Sequence, residues 1–128
     1  MIVDTSIVIA ILRDEPEALD FSAILEANMP VAMSAGSWIE IAIVLSRLGV
    51  AGLEERSIEL VEALGFRIEP VTVEQAEIAR AAYREFGKGN HPAHLNFGDC
   101  FAYALSKATG EPLLFKGDDF AQTDVLVA

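Results

Sequence analysis

Met1-Ile2-Val3-Asp4-Thr5-Ser6 begins the chain, and an apolar run of six residues follows it directly. Three apolar residues interrupted by Asp-Thr-Ser predict a short buried strand that ends at a carboxylate. Thr5 or Ser6 can then cap a helix that runs to about residue 13. Ligands of open α/β sheets bind beyond the carboxyl ends of the strands, where Asp4 would lie. Capping alone explains this tripeptide equally well, so its role depends on the other acids of the chain.

The rest of the chain alternates short apolar segments with amphipathic ones. The apolar segments predict further strands at residues 31–34, 66–71, 113–115 and 125–127. The amphipathic segments predict helices at residues 17–27, 38–48, 52–64, 72–88 and 96–108. Such alternation is typical of right-handed βαβ crossovers, which build a parallel sheet with helices on both faces. We therefore expect one doubly wound α/β domain over residues 1–128.

The composition of the 128 residues excludes several classes of protein. No apolar run approaches the roughly 20 residues that span a bilayer, and the N-terminus lacks the basic lead-in of a signal peptide. Cys100 is the only cysteine, so a disulfide framework is excluded and the reducing cytoplasm is the expected location. The net charge of −11 argues against broad, non-specific binding of phosphates. It is compatible with an acidic pocket that handles phosphates through metal ions.

Glu40 has an unusual place in the sequence, since it is the only charge in the run Trp38-Ile39-Glu40-Ile41-Ala42-Ile43-Val44-Leu45. A helix that is apolar nearly all round is expected to be buried. An unpaired buried carboxylate is costly, so a partner or a metal ion is expected beside it. A glutamate in a first helical turn, stabilised by the helix dipole, is the alternative.

Further acids occupy comparable positions. Asp99 precedes another apolar run, where capping is again an alternative, and Asp118-Asp119 follow the strand predicted at 113–115. Asp4 and Asp118-Asp119 thus lie just past strand ends. Glu40 and Asp99 lie in the first turns of helices that begin at the same edge of the sheet. Four remote parts of the sequence would converge on one rim, which four separate capping roles do not explain.

A cluster of carboxylates indicates a particular chemistry. Carboxylates repel one another unless a divalent cation is bound among them. Ligand sets made only of oxygen suit Mg²⁺ or Mn²⁺ rather than zinc. Such an ion can lower the pKa of a bound water and take up charge on the oxygens of a phosphodiester. These residues therefore indicate metal-assisted phosphodiester hydrolysis.

Four segments together resemble the PIN-domain ribonucleases, and among them the VapC toxins of toxin–antitoxin pairs. The segments are Ile2-Val3-Asp4-Thr5-Ser6, the glutamate early in the third helix, Asn96-Phe97-Gly98-Asp99-Cys100 and Leu114-Phe115-Lys116-Gly117-Asp118-Asp119-Phe120. The resemblance extends over the whole chain. It implies a three-layer αβα fold with a mostly parallel five-stranded sheet, cleavage of RNA, dependence on Mg²⁺ or Mn²⁺, a homodimer and a VapB-type antitoxin.

The same resemblance assigns roles to the acids. By this match Asp4 and Asp99 would be direct metal ligands, and Glu40 would complete the site. Asp118 and Asp119 compete for the place of the fourth acid, and Asp118 is favoured.

Other polar residues are candidates for supporting roles. Thr5 and Ser6 can donate hydrogen bonds that orient the carboxylates. Arg80, Arg84 and Lys88 follow one another at helical spacing and form a basic stripe on an acidic protein. The predicted helix directs this stripe toward the loop before Asp99, so the stripe can guide RNA phosphates toward the metal. An ordinary solvated face, paired with nearby glutamates, explains the stripe equally well.

The composition also predicts an interface. A domain with 52% hydrophobic residues is expected to leave apolar area exposed, and exposed patches mark interfaces. The helix after Pro16 and the helix over residues 53–64 are the predicted groove or dimer face. A rim of carboxylates would also attract a basic segment of a partner, whose arginine could pair with the acids.

Two other function classes share this fold class. A phosphoaspartyl receiver domain needs paired acids after the first strand and a lone Asp after a central strand. Here Asp4 is followed by Thr5-Ser6, and the strand predicted at 66–71 ends without an Asp. A non-catalytic interaction domain explains the high apolar content but leaves Glu40 without a reason.

Overall fold

The computed structural model describes residues 1–87, 89 and 91–128. Its strands are Ile2–Val3 (β1), Ala32–Ser34 (β2), Arg67–Glu69 (β3) and Leu113–Leu114 (β4). Its helices are Thr5–Leu12 (α1), Ala18–Ala27 (α2), Ala35–Leu48 (α3), Leu53–Ala63 (α4), Val73–Phe86 (α5) and Phe97–Thr109 (α6). These elements follow the predicted order. None of the helices described is both long and apolar enough to cross a membrane.

β1 lies inside a parallel sheet whose strand order is β3-β2-β1-β4. Ile2 pairs with Ala32 on one side and with Leu113 on the other. Because the strand pairs are all parallel, the carboxyl ends of the strands meet at one edge of the sheet. Asp4 follows β1 directly and therefore leaves the sheet near the middle of this edge.

The predicted fifth strand at residues 125–127 is wrong, since the sheet formed by the described residues has four strands. This segment contacts the sheet at one point: the Leu113 N–H donates to the Leu126 carbonyl (2.7 Å), and the Leu113 carbonyl accepts from the Ala128 N–H (3.0 Å). Alternate residues of a strand direct their hydrogen bonds to the same neighbour. If the pairing continued, the carbonyl of Glu111, two residues before Leu113, would accept the next hydrogen bond. That carbonyl accepts from Ser106 Oγ (2.6 Å), and the pairing is a single bridge between Leu113 and Val127.

The two residues of β1 divide the core into two halves. Ile2 packs in an apolar cluster with residues of α5 and α6, whereas Val3 packs in a cluster with residues of α1 to α4. Successive side chains of a strand point to opposite faces of the sheet, so each half of the core lies on one face. The predicted three-layer arrangement of helices, sheet and helices is confirmed.

α1 begins at a cap other than the predicted one. The Asp4 carboxylate accepts from the Ser6 N–H (3.0 Å), so Asp4 caps this helix in place of Thr5 or Ser6. A carboxylate at this position satisfies a backbone donor that the helix itself leaves open. The same Asp4 side chain can therefore cap the helix and belong to the candidate site.

α3 begins three residues before its predicted start. Ser34 Oγ accepts from the Gly36 N–H (3.1 Å) and caps the helix at the end of β2. Glu40 consequently lies in the second turn, not the first. The expected complete burial of α3 is also wrong, because Ile39 is 62% and Ile43 is 47% exposed. Only one side of this helix faces the core.

Candidate active site

Asp4 places a buried carboxylate at the carboxyl end of β1. The residue is 5% exposed. Its Oδ2 accepts from the Ser6 N–H, whereas Oδ1 is buried and has no hydrogen-bond partner among the residues that the structure describes. A buried carboxylate oxygen without a donor is costly. Oδ1 is therefore an acceptor whose partner the described side chains do not supply.

Asp99 is held at the start of α6 by a capping box with Asn96. The Asp99 N–H donates to Asn96 Oδ1 (2.9 Å), and the Asn96 N–H donates to Asp99 Oδ2 (3.0 Å). These bonds satisfy backbone donors that the helix leaves open. The capping role considered for Asp99 is thus real, and it fixes the position of the carboxylate.

Glu40 reaches the start of α6 across the contact between α3 and α6. A Cβ placed on Gly98 would lie 1.5 Å from Glu40 Oε2 and 2.5 Å from Glu40 Cδ, so the carboxyl group rests on the Gly98 backbone beside Asp99. One turn earlier on α3, a Cβ on Gly36 would lie 2.3 Å from Cδ1 of Phe101. The two helices therefore approach each other closely at two glycines.

The charges of these acids act on one another. Burial raises the pKa of the Asp4 carboxyl to about 6, hydrogen bonding from Ser6 offsets part of this rise, and the charge of Glu40 adds to it. Burial also raises the pKa of Asp99 to about 7, and the charges of Asp4, Asp119 and Glu40 contribute further. Like charges that face one another favour the protonated form. The acids from four separate segments thus form one electrostatic unit.

The turn after β4 carries the remaining acids. Asp118 and Asp119 are both exposed, and Asp119 is the one whose charge raises the pKa of Asp99. The Lys116 N–H donates to Ser6 Oγ (3.0 Å). This bond joins the start of the turn to α1, and it gives the Ser6 hydroxyl a role in placing the turn.

Thr5 and Ser37 connect the helices beneath the acids. The Thr5 hydroxyl donates to the Ser37 carbonyl (3.3 Å), which links α1 to α3. Ser37 Oγ is buried and, like Asp4 Oδ1, has no hydrogen-bond partner among the described residues. Ser37 was not among the candidates from the sequence.

The acids do not form a closed metal cage. In the ranges that the structure describes, no three His, Cys, Asp or Glu side chains stand close enough together to hold one metal ion. Asp4 and Asp99 are fixed by helix caps, whereas Asp119 is exposed on a turn. The site is a rim of separate carboxylates with two fixed members.

Residues 1–126 match the PIN domain family. The chain is 51% identical over 127 residues to ribonuclease VapC28 of Mycobacterium tuberculosis, with 98% of this chain and 95% of the relative covered. The chain is a PIN domain of the VapC ribonuclease family. The resemblance noted in the sequence is confirmed.

Two solved structures share this PIN-domain fold. The crystal structure of VapC20 of Mycobacterium tuberculosis, described as a toxin that cleaves the sarcin–ricin loop, has a TM-score of 0.78 at 17% identity and covers 99% of this chain and 97% of that one. A chain of a toxin–antitoxin complex from Klebsiella pneumoniae has a TM-score of 0.73 at 23% identity, and the match covers 99% of this chain and 95% of that one.

A groove of about 560 Å³ lies between α5 and α6 of this PIN domain, next to the first turn of α6, which carries Asp99. Arg80 and Arg84 line it, together with Phe97 and Phe101. Phe97 is 78% exposed and packs edge-on against Phe101, with ring centroids 5.0 Å apart. Two residues of the predicted basic stripe thus line a groove that also includes Cys100, the residue after Asp99. The third, Lys88, lies outside the described residues.

Gly98 also lies against one of the acids, and the sequence alone did not single it out. It lies within the motif Asn96-Phe97-Gly98-Asp99-Cys100, and a glycine before an acid at a helix start has many possible reasons. The signal that reveals its role is the contact with Glu40, which joins residues distant in the sequence.

Proposed function

We propose that this PIN domain is an endoribonuclease that hydrolyses RNA phosphodiester bonds and acts as the toxin of a toxin–antitoxin pair. Asp4 Oδ1 carries the proposal, because it is a buried carboxylate oxygen without a donor among mutually repelling acids. Such a rim repels a phosphate unless a cation lies between them. The 51% identity to VapC28, a ribonuclease, supports RNA as the substrate.

The cation that fits these residues is Mg²⁺ or Mn²⁺. Asp4 and Asp99 would hold it directly, and Glu40 would complete the site through the negative charge that it adds beside them. The donors are carboxylate oxygens, which hard divalent cations prefer, and Asp4 Oδ1 has no competing hydrogen bond. When bound, the ion supplies a water of lowered pKa and positive charge for the phosphodiester oxygens.

The chain itself contributes position and proton exchange. The caps of α1 and α6 hold Asp4 and Asp99 before any ligand binds, so little of the binding energy is spent on ordering them. Asp99, with a pKa of about 7, exchanges its proton near neutral pH. Protonation of this carboxylate competes with cation binding, so the occupied site requires its ionised form.

The fourth acid is assigned to Asp119 instead of Asp118. The charge of Asp119 acts on Asp99, and the bond between Lys116 and Ser6 holds the turn beside α1. This assignment replaces the preference for Asp118 that the sequence motif suggested.

The RNA strand approaches along α5. Arg80 and Arg84 are separated by one helical turn and line the groove, whose other wall includes Phe97 and Cys100 from the first turn of α6. Cations in this position attract the phosphates of a strand toward an otherwise acidic protein. Arg80 also lies 3.5 Å from Glu77 Oε1, an exposed pair that is weak enough to yield to a phosphate.

A homodimer and a VapB-type antitoxin are the proposed protein partners, in the cytoplasm. The two helices predicted to form an interface do expose apolar side chains: Leu19 and Ile24 on α2, and Ile58 on α4. Exposed apolar residues of this kind mark interfaces. The structural neighbour from Klebsiella pneumoniae comes from a toxin–antitoxin complex, which supports the same assignment. A basic antitoxin segment would be drawn to the carboxylate rim.

The test is cleavage of structured RNAs by the purified protein in Mg²⁺, in Mn²⁺ and in EDTA. We expect cleavage with either cation and none in EDTA. Asp4→Asn and Asp99→Asn keep the shape of the side chains but remove the charge that holds the cation, so both should lower the rate by at least about a hundredfold. Asp20→Asn, the same change at an exposed position of α2, should keep the wild-type rate.

Circular dichroism shows whether the variants stay folded. Wild-type rates in EDTA, or in both folded variants, would refute the metal mechanism.

A further inference from the structure

Gly98 is the second residue of α6, between the exposed Phe97 and Asp99. Its φ lies outside the left-handed region, so the backbone conformation does not require glycine. Alanine would favour the helix more than glycine does. The capping box of α6 uses Asn96 and Asp99 and no atom of Gly98. The missing side chain therefore needs a reason outside the helix.

That reason is the carboxyl group of Glu40. A Cβ on Gly98 would lie 1.5 Å from Oε2, 2.5 Å from Cδ and 3.0 Å from Oε1 of Glu40. Contacts under 3.0 Å are not found for real Cβ atoms. The carboxylate thus occupies the volume in which any other residue would place its Cβ.

The second glycine contact between α3 and α6 is of a different kind. Gly36 receives the ring of Phe101, and an aromatic ring against backbone is an ordinary packing contact that buries apolar surface. A carboxylate gains nothing comparable from such a contact. The glycine at position 98 instead determines where the charge of Glu40 stands.

We propose that Gly98 is a positioning residue of this site: its missing Cβ admits the Glu40 carboxylate to the first turn of α6, beside Asp99. The charge of Glu40 acts on both Asp4 and Asp99, which agrees with this placement. The catalytic part of the inference rests on the proposed ribonuclease function. The placement of the carboxylate does not.

Gly98→Ala should leave the fold intact, because the clashing atoms are the far end of a flexible side chain. Glu40 then turns away from Asp99. The RNA groove is unchanged, so the loss should appear in cation binding and in kcat, with KM for RNA little changed.

The experiment is a double-mutant cycle of Gly98→Ala with Glu40→Ala. Calorimetry gives the affinity for Mn²⁺, and assays on a cleaved RNA give kcat and KM. Thermal unfolding in EDTA gives Tm. In the wild-type background we expect Gly98→Ala to weaken Mn²⁺ binding and lower kcat, each by about tenfold. In the Glu40→Ala background the same change should alter Mn²⁺ affinity by less than about twofold and leave Tm unchanged or raised, since no carboxylate is displaced.

Gly36→Ala is the matched control, because its Cβ overlaps Phe101 of the same helix pair. It should lower Tm equally in both backgrounds. If Gly98→Ala weakens Mn²⁺ binding as much without the Glu40 side chain as with it, or has no effect in the wild type, the proposal is wrong. If the wild type binds no Mn²⁺, the proposed metal mechanism fails, and a crystal structure of Gly98→Ala still decides whether the Glu40 carboxylate has moved.

Discussion

Asn96 and Asp99 exchange hydrogen bonds across the first turn of α6, each accepting with its side chain from the backbone N–H of the other. The carboxylate proposed to bind the cation is therefore part of a helix cap as well. A cap normally contributes only to stability. In this protein the same bonds also determine where an acid of the site lies.

Asn96→Ala should consequently affect both stability and activity. Loss of the cap should lower the free energy of unfolding by about 1 kcal/mol, measured by urea denaturation. The N–H of residue 96 can still donate to Asp99 Oδ2, but the Asp99 N–H loses its acceptor, so the first turn holds the carboxylate less firmly and kcat should fall by roughly tenfold. Thr72→Ala is the control, since Thr72 Oγ1 caps α5 by accepting from the Gln75 N–H (3.1 Å) away from the acids. It should lose similar stability and keep its activity. Equal kcat losses in the two variants would mean that the cap acts through general stability.

Asp118→Asn and Asp119→Asn separate the two acids of the last turn. The charge of Asp119 acts on Asp99, so its removal should lower the cleavage rate by about tenfold or more. Asp118→Asn should remain within about twofold of the wild type. Both residues are exposed, so neither change should lower Tm. The reverse order of activities would restore Asp118 as the fourth acid.

The raised pKa values predict how the stability of the metal-free protein depends on pH. Asp4 has a pKa of about 6 and Asp99 of about 7 in the folded state, against 3.8 for an ordinary aspartate in water. A group with a raised pKa stabilises the fold below its unfolded value, and this contribution is lost as the pH rises through the folded value. The metal-free protein should therefore lose stability between about pH 4 and pH 8, by a few kcal/mol in order of magnitude.

Urea denaturation in EDTA at pH 5 and pH 8 measures this loss, which should be smaller in Asp4→Asn and in Asp99→Asn. Saturating Mn²⁺ should reverse the trend, because the ion binds the deprotonated carboxylates. A wild-type protein that gains stability toward pH 8 in EDTA, by an amount that Asp99→Asn removes, would contradict the assigned shifts.

Glu40→Gln distinguishes repulsion from a structural ion pair. Neutralising this acid removes repulsion toward Asp4 and Asp99, so the Tm in EDTA should stay unchanged or rise. The increase in Tm on adding Mn²⁺ should become smaller, because one acid of the site is lost. Scanning calorimetry with and without Mn²⁺ gives both quantities. A marked drop of Tm in EDTA would show that Glu40 stabilises the fold itself.

The parts of this protein that follow from sequence alone are those made by neighbours in the chain. A short apolar run before Asp4 predicts a buried strand with an acid at its end, because strand and cap are both local patterns. The capping box of Asn96 and Asp99 is likewise a pattern over one helical turn. The alternation of strands and helices was sufficient to predict a parallel sheet between two layers of helices.

Tertiary structure decided what depends on competition between distant groups. Residues 125–127 have the composition of a strand, yet they meet the sheet at a single bridge between Val127 and Leu113. The assignment of Asp119 depends on how an exposed turn is placed by Lys116 and Ser6. The role of Gly98 depends on two helices meeting within contact distance of its backbone. No local propensity records such contacts, because each arises only when the packed core brings remote segments together.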